Sequence, residues 1–463
     1  MKFDLVIQNG LVVRPEGPSI LNVGITDGKI AAISQQPLEG LEIIEARGLV
    51  VMPGAVDLHV HFSEPGRTHW EGWWHGSRGA AAGGVTTVVE MPLNAIPATT
   101  TLEALKLKLE AARGQSFVDY ALWAGLVDDN LEHIPALATS GAIGFKAFMV
   151  DIKDPSFQFV TDQILLAGMR EIGARGHFLA VHAEDSAMTW ANMQALQDAG
   201  RTDRRAWNEA RTPAVELAAI HTALQLAREA NCPLHVVHTS IPEGIDAITK
   251  ARASGQRVTV ETCAHYLVFT DDDFERLGPV AKCAPPLRDQ TRQDGLWQRI
   301  LEGQIDCITS DHSPCATEDK TKGDDNIWEA WGGITGVQTL VSSVISEGQK
   351  RGLSLEKTAE LLSTNPAKLA GLHPRKGEIL EGSDADLILV NLEKPWTVQR
   401  DWLYSRHQHS PYIGLELKAW IERVIVRGQT VVVNGEIVGE ARGEWVKRNA
   451  RVIRSINSQG FSG

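Results

Sequence analysis

Two histidines two residues apart, His59 and His61, end the apolar run Gly54-Ala55-Val56-Asp57-Leu58-His59-Val60-His61-Phe62. Alternate side chains of a β-strand leave the same face, so both imidazoles aim to one side. Neutral imidazole is a ligand for zinc and related divalent ions, and one strand can supply two without bending. Alone, such a pair is as readily two satisfied polar side chains, so the weight rests on what recurs later. Lys146 interrupts Gly144-Phe145-Lys146-Ala147-Phe148, and His182 follows Ala180-Val181. His238 follows Val236-Val237, and Asp311 follows Thr309-Ser310 in Thr309-Ser310-Asp311-His312-Ser313-Pro314. Any one of these reads as a core histidine or a lysine reaching solvent. Together, at the ends of successive strand-like runs, they predict one metal-binding site.

Lys146 is the odd member, because an ammonium among cations is unfavourable and a buried lysine tends to lose its proton. A neutral amine can take up carbon dioxide to give a carbamate, an anion with two oxygens able to bridge two metal ions. The plain alternative is a salt bridge from Lys146 to Asp151 or Glu184.

The elements that must carry these residues alternate. Apolar, β-branched runs occur at 50–62, 85–91, 120–127, 142–150, 178–182, 234–238, 258–262 and 307–309. Segments between them, such as 102–113, 161–172, 215–230 and 291–302, have the three-to-four spacing of amphipathic helices. This pattern predicts an α/β fold, a (β/α)8 TIM barrel, with a doubly wound open sheet as the alternative. Barrel enzymes place their chemistry at the carboxyl ends of the strands, where the candidate ligands fall.

Short strands at 4–7, 11–13, 22–25 and 41–44, with turn signals at Asn9-Gly10 and Asp27-Gly28, precede the barrel. Others at 386–390, 419–426 and 430–433 follow it. Residues 1–52 plus 375–440 are therefore expected to fold together as a small β-sandwich domain, with the barrel, 53–374, inserted between them. The C-terminal tail, 441–463, has no core pattern and is expected to be mobile in part or to cover a neighbouring subunit.

The 463 residues are 43% apolar and 22% charged, with a formal net charge of −13. That charge disfavours nucleic acid or an anionic membrane surface as a partner and favours a small-molecule substrate. Five cysteines, odd in number and without a Cys-x-x-Cys, argue against a disulfide framework. With an opening segment that lacks the signal-peptide pattern, they predict a cytoplasmic protein.

The His59-x-His61 pair, the mid-barrel Lys146, the single histidines 182 and 238 and the final Asp311-His312-Ser313-Pro314 resemble the cyclic amidohydrolases of the metal-dependent amidohydrolase superfamily. That family comprises dihydroorotases, dihydropyrimidinases or hydantoinases, and allantoinases. The resemblance runs nearly end to end, from Asp4-Leu5-Val6-Ile7 to Gly382-Ser383-Asp384-Ala385-Asp386-Leu387. It is greatest toward the allantoinase branch, through His61-Phe62-Ser63-Glu64-Pro65-Gly66-Arg67, Glu90-Met91-Pro92-Leu93-Asn94, Ala281-Lys282-Cys283-Ala284-Pro285-Pro286-Leu287-Arg288 and Glu329-Ala330-Trp331-Gly332-Gly333.

The resemblance implies two divalent metal ions, zinc first with cobalt, manganese or iron as alternatives. One would be held by His59, His61 and Asp311, the other by His182 and His238, with an N6-carboxylated Lys146 between them. Asp311 would act as general base and then acid in opening a cyclic amide. Relatives imply a homotetramer. Ser63 and Cys315 stand where dihydroorotases carry a carboxylate-binding Arg and His, and Asp151 stands where hydantoinases carry a Tyr. These departures point to allantoin, a neutral ureide. The resemblance suggests Ser313, the backbone at Ala284 and Trp331 for its recognition, and Asn94 is added from its place just past the second strand. The cluster Trp70, Trp73 and Trp74 is expected to pack a loop or a subunit contact, and His265 to be structural. Arg67 and Arg288 are expected to pair with Glu64 and Asp289.

Overall fold

The computed structural model describes residues 2–448. The run at 50–62, expected as one barrel strand, divides at Gly54. Val50–Pro53 pairs antiparallel with Leu387–Asn391, whereas β1, Ala55–Val60, opens the barrel. The Gly54 N–H donates to Asp386 O at 2.9 Å, and a Cβ on this residue would lie 2.2 Å from the Thr86 side chain. Only glycine lets the backbone pass from one sheet to the other here.

The barrel continues with β2 (Val85–Glu90), β3 (Asp119–Leu122, resumed at Ala124–Gly125), β4 (Phe145–Phe148) and β5 (Leu179–His182). It ends with β6 (Leu234–Val236), β7 (Val258–Cys263) and β8 (Cys307–Thr309). Successive strands pair in parallel, and their side chains are almost wholly buried, as strands covered on both faces require. The ring closes past β8, where the His61 N–H donates to His312 O at 2.7 Å beside the Val60–His312 bridge. This closure excludes the open-sheet alternative. Helices between the strands start where the spacing placed them. Thr101, Thr161 and Asp289 accept the free N–H groups that open Leu102–Ala112, Asp162–Ala174 and Gln290–Leu301.

The other sheet has nine strands drawn from both ends of the chain. Leu387–Asn391 joins Val50–Pro53 to Trp420–Val426, and Phe3–Val12 extends the sheet toward Ser19–Thr26 and Lys29–Ser34. Asn9-Gly10 is not the expected turn. It is a bulge inside one long strand, with Asn9 at φ 60° and its N–H held by Asn22 Oδ1 at 2.9 Å. Asp27-Gly28 does turn the chain, into a strand the alternation did not reveal, Lys29–Ser34. Part of the tail expected to be mobile or to cover a neighbouring subunit pairs instead with this chain's own barrel. Tyr120 N–H donates to Glu444 O at 2.9 Å, Val446 N–H to Tyr120 O at 2.8 Å, and Val446 is buried. The remainder of that segment, 449–463, lies outside the described residues.

Candidate active site

At the carboxyl end of β1 each histidine is locked by its Nδ1. His59 Nδ1 faces Glu261 Oε1 at 2.5 Å and His61 Nδ1 faces Leu93 O at 3.0 Å, so both donate there and leave Nε2 with a free lone pair. Both Nε2 atoms turn to one oxygen, Asp311 Oδ1, at 3.2 and 3.5 Å. Ligand atoms of His59, His61 and Asp311 lie within 4.8 Å of one another. Burial alone would raise the Asp311 carboxyl, but His59 and His61 in their protonated form outweigh it and hold it at about 2. Asp311 is therefore ionised, in a left-handed backbone conformation with φ 43°.

The second group stands across the barrel mouth. The ring of His182 is 4.5 Å from that of His238, which is 5.3 Å from that of His59. His182 Nε2 bonds Glu184 Oε2 at 2.7 Å, turning Nδ1 toward the centre, and Glu184 is held in turn by Arg211 at 2.5 Å. His238 Nδ1 is buried without a partner. So is Lys146 Nζ, which lies 5.2 Å above the Phe148 ring. Neither salt bridge open to Lys146 from the sequence forms, because Asp151 pairs with Lys153 and Glu184 with Arg211. Burial pulls the Lys146 amine down to about 7, against the opposing pull of Glu261 and Asp311. The amine is thus substantially neutral near pH 7, the state that reacts with carbon dioxide.

Above these groups opens a cavity of about 480 Å³. Asn94, Ala284, Ser313 and Trp331 all line it, as do His59, His61, His182, His238 and Asp311. Asn94 Nδ2 donates to Ser313 Oγ at 3.3 Å, and Trp331 Nε1 to Ser313 O at 3.2 Å.

The amidohydrolase family profile matches residues 50–431. The chain belongs to the amidohydrolase family. An allantoinase from Rubrobacter xylanophilus is 45% identical over 448 residues, spanning 96% of this amidohydrolase and 98% of that protein. An allantoinase from Salmonella choleraesuis is 41% identical over 436 residues, spanning 93% and 95%. Among solved structures, L-hydantoinase (dihydropyrimidinase) from Arthrobacter aurescens superposes with a TM-score of 0.94 at 37% identity, covering 96% of this chain and 100% of that one. Dihydropyrimidinase from Brevibacillus agri NCHU1002 gives 0.90 at 29% identity, covering 97% and 99%. The fold is the barrel with a small β domain that the resemblance implied.

The family is metal-dependent, and this amidohydrolase has donors that fit. Two imidazole Nε2 atoms converge on a carboxylate, and a buried imidazole Nδ1 and a buried amine are left unpartnered, a set suited to divalent ions of the zinc type.

Several residues do more, or otherwise, than the sequence suggested. Trp70 is a cavity wall, 4.5 Å from Trp331, with Arg67 stacked on it at 4.9 Å. Trp73, expected to pack a loop or a subunit contact, is buried in the core against Phe62 and Tyr120, and Trp74 is half exposed. Arg67 reaches past Glu64 to Asp154 at 2.7 Å, and Arg288 bonds Glu216 at 2.9 Å rather than Asp289, which caps a helix. His265 is fully buried against Tyr266 and lies outside the cavity lining. Arg211 and Lys282, also on the cavity wall, carry no local spacing signal, because each acts from a loop whose position only the closed barrel defines.

Proposed function

We propose that this amidohydrolase opens the hydantoin ring of allantoin to give allantoate. The observation that carries the reading is the ionised Asp311, set against the Nε2 atoms of His59 and His61 at the floor of a cavity whose wall carries the linked Asn94 and Ser313. The names of the relatives, at 45% and 41% identity over nearly the whole chain, favour allantoin over other cyclic ureides.

His59, His61 and Asp311 would hold one divalent ion, zinc being the first choice and cobalt, manganese or iron the alternatives. His182 and His238 would hold the other. Lys146, after its neutral amine adds carbon dioxide and sheds a proton, would offer a carbamate oxygen to each. When bound, the ions polarise the scissile carbonyl and acidify water.

The protein's own residues do the rest. Asp311 accepts a proton from the attacking water as the new C–O bond forms. It returns that proton to the ring nitrogen as the C–N bond breaks, since an amide nitrogen cannot leave as an anion at neutral pH. The backbone at Ala284 and the side chains of Asn94 and Ser313 offer the donors and acceptors that a neutral ureide requires, and Trp331 closes the face of the ring.

The nine-stranded sheet supports residues 1–52 with 375–440 acting as one small β domain around a barrel at 53–374. Five cysteines, all buried and free, support a reducing cytoplasm, and no helix among the described residues is long and apolar enough to cross a membrane. The assembly is read from the sequence resemblance, as a homotetramer.

The test compares initial ring-opening rates for allantoin, hydantoin and dihydrouracil on one metal-analysed preparation supplied with bicarbonate. A strong preference for allantoin is expected. Preference for hydantoin or dihydrouracil would replace the substrate with that of the solved neighbours and keep the mechanism, and inactivity with metal bound would remove both.

A further inference from the structure

Glu261 sits in the middle of β7 with no exposed surface and no access to the cavity. Its two oxygens nevertheless meet three donors from two other strands. Oε1 lies 2.5 Å from His59 Nδ1 and 3.1 Å from the backbone nitrogen of His238. Oε2 lies 3.2 Å from His235 Nε2, whose Nδ1 is held by Thr259 Oγ1 at 2.9 Å. The main-chain carbonyl of Glu261 takes a fourth donor, the Thr239 N–H, at 2.9 Å.

Each contact has a consequence. Oε1 already accepts the backbone N–H of His238, so it faces His59 as an acceptor, and His59 must carry its proton on Nδ1 and present Nε2 to Asp311. His238 has φ 36°, a conformation a non-glycine residue keeps only when its surroundings impose it. Here the imposing contacts are Glu261 Oε1 on the N–H of His238 itself and Glu261 O on the N–H of the next residue.

We infer that Glu261 is the positioning residue shared by both metal sites, fixing the ring and tautomer of His59 in one and the backbone aim of His238 in the other. The inference rests on the two-metal reading above. One side chain thereby couples the two sites, and its loss weakens both. A residue serving a single ligand, as Glu184 serves His182, would affect one.

The test uses full-length, metal-depleted protein titrated with Zn²⁺ against a chromophoric chelator, with bicarbonate present, and repeated with Co²⁺ to read the visible spectrum of the bound ion. Wild type is expected to take up two ions. Glu261→Met, close in volume but without acceptors, is expected to lose roughly 10- to 100-fold in affinity at both steps and to show an altered Co²⁺ spectrum, while its metal-free melting confirms that it is folded. Should Glu261→Met fail to fold, Glu261→Asp keeps the charge but draws the carboxylate back by one methylene, and the same loss at both steps is expected. Two ions bound to wild type, with a folded variant that matches wild type at either step, would overturn the shared role and leave the two-metal reading standing. Wild type that takes up a single ion would overturn the two-metal reading, and the shared role with it.

Discussion

Lys376 Nζ stands 2.5 Å from Asp119 Oδ2, a buried ion pair that joins the chain after the barrel to the first residue of β3. The same ammonium meets Asp386 at 2.6 Å and Asp384 at 3.0 Å, and Arg427 adds a second cation on Asp119 at 3.1 Å. Burial would lower the lysine, but the three aspartates outweigh it and hold it well above its usual range. Removing the central cation leaves the buried Asp386 without a cationic partner among the described residues, although Arg427 stays on Asp119, and breaking such a pair costs about 3–5 kcal/mol. Lys376→Met is therefore expected to lower the stability measured by urea unfolding by that amount, with both sheets unfolding earlier. Its folded fraction should keep wild-type metal content, because nothing in the cluster touches the cavity. A loss below about 1 kcal/mol would mean that the cluster does not hold the two sheets together.

Much of this was legible in the sequence, and the exceptions have physical reasons. The convergence of His59, His61, Lys146, His182, His238 and Asp311 at one end of the barrel could be read because strand alternation fixes where a side chain points, and barrel topology fixes which strand ends converge. Glu261 could not, since it reads as an ordinary polar residue in Val258–Cys263. Its importance arises only when β7 lies beside β6 and across from β1. Trp70 failed for a related reason. An aromatic near two others packs more often than it lines a site, and its wall position depends on Trp331 arriving from a loop far along the chain. Within 50–62, local hydrophobicity cannot reveal that a strand changes sheets. The decisive contact, Gly54 against Thr86, lies between elements.

Ser313 Oγ receives the Asn94 amide at 3.3 Å on the cavity wall and has no part in the metal cluster. A neutral hydrogen bond is worth about 1 kcal/mol, so Ser313→Ala and Asn94→Ala are each expected to raise KM for allantoin roughly five- to tenfold. Metal content should be unchanged. An equal fall in kcat with KM unaltered would place these side chains in the transition state rather than in substrate recognition.

Metal removal should be reversible and depend on bicarbonate. Chelation is expected to abolish ring opening, and a divalent ion supplied with bicarbonate to restore it far better than the ion alone, because Lys146 Nζ is buried without a partner and the proposed carbamate would give it one. Lys146→Met, which keeps the stem but cannot be carboxylated, should retain less than one tenth of the activity and bind fewer ions per chain. Full metal content in Lys146→Met would exclude a bridging role.

Lys320 and Lys282 pin the loop that carries Trp331 to the cavity. Lys320 Nζ donates to Trp331 O at 2.9 Å and Gly333 O at 2.6 Å, and Lys282 Nζ to Ile327 O at 2.7 Å and Ala330 O at 2.6 Å. Burial draws Lys320 down to about 8, with Cys315 and Cys283 acting in the other direction. Lys320→Met should leave two carbonyls without their donor, at about 1–3 kcal/mol each, and raise KM through a looser Trp331. The pH dependence has a definite sign. The unfolded chain holds this proton up to about 10.5 and the folded protein only to about 8, so between those values unfolding takes up a proton and stability rises with pH. Wild type should therefore gain on Lys320→Met across that window, by up to roughly 3 kcal/mol. Taking the difference between the two proteins cancels the opposite trend of the distant buried Cys232, whose thiol burial pushes up. Parallel stability curves from pH 8 to 10.5 would show that Lys320 keeps its proton in the folded loop, and that its hold on Trp331 does not weaken at alkaline pH.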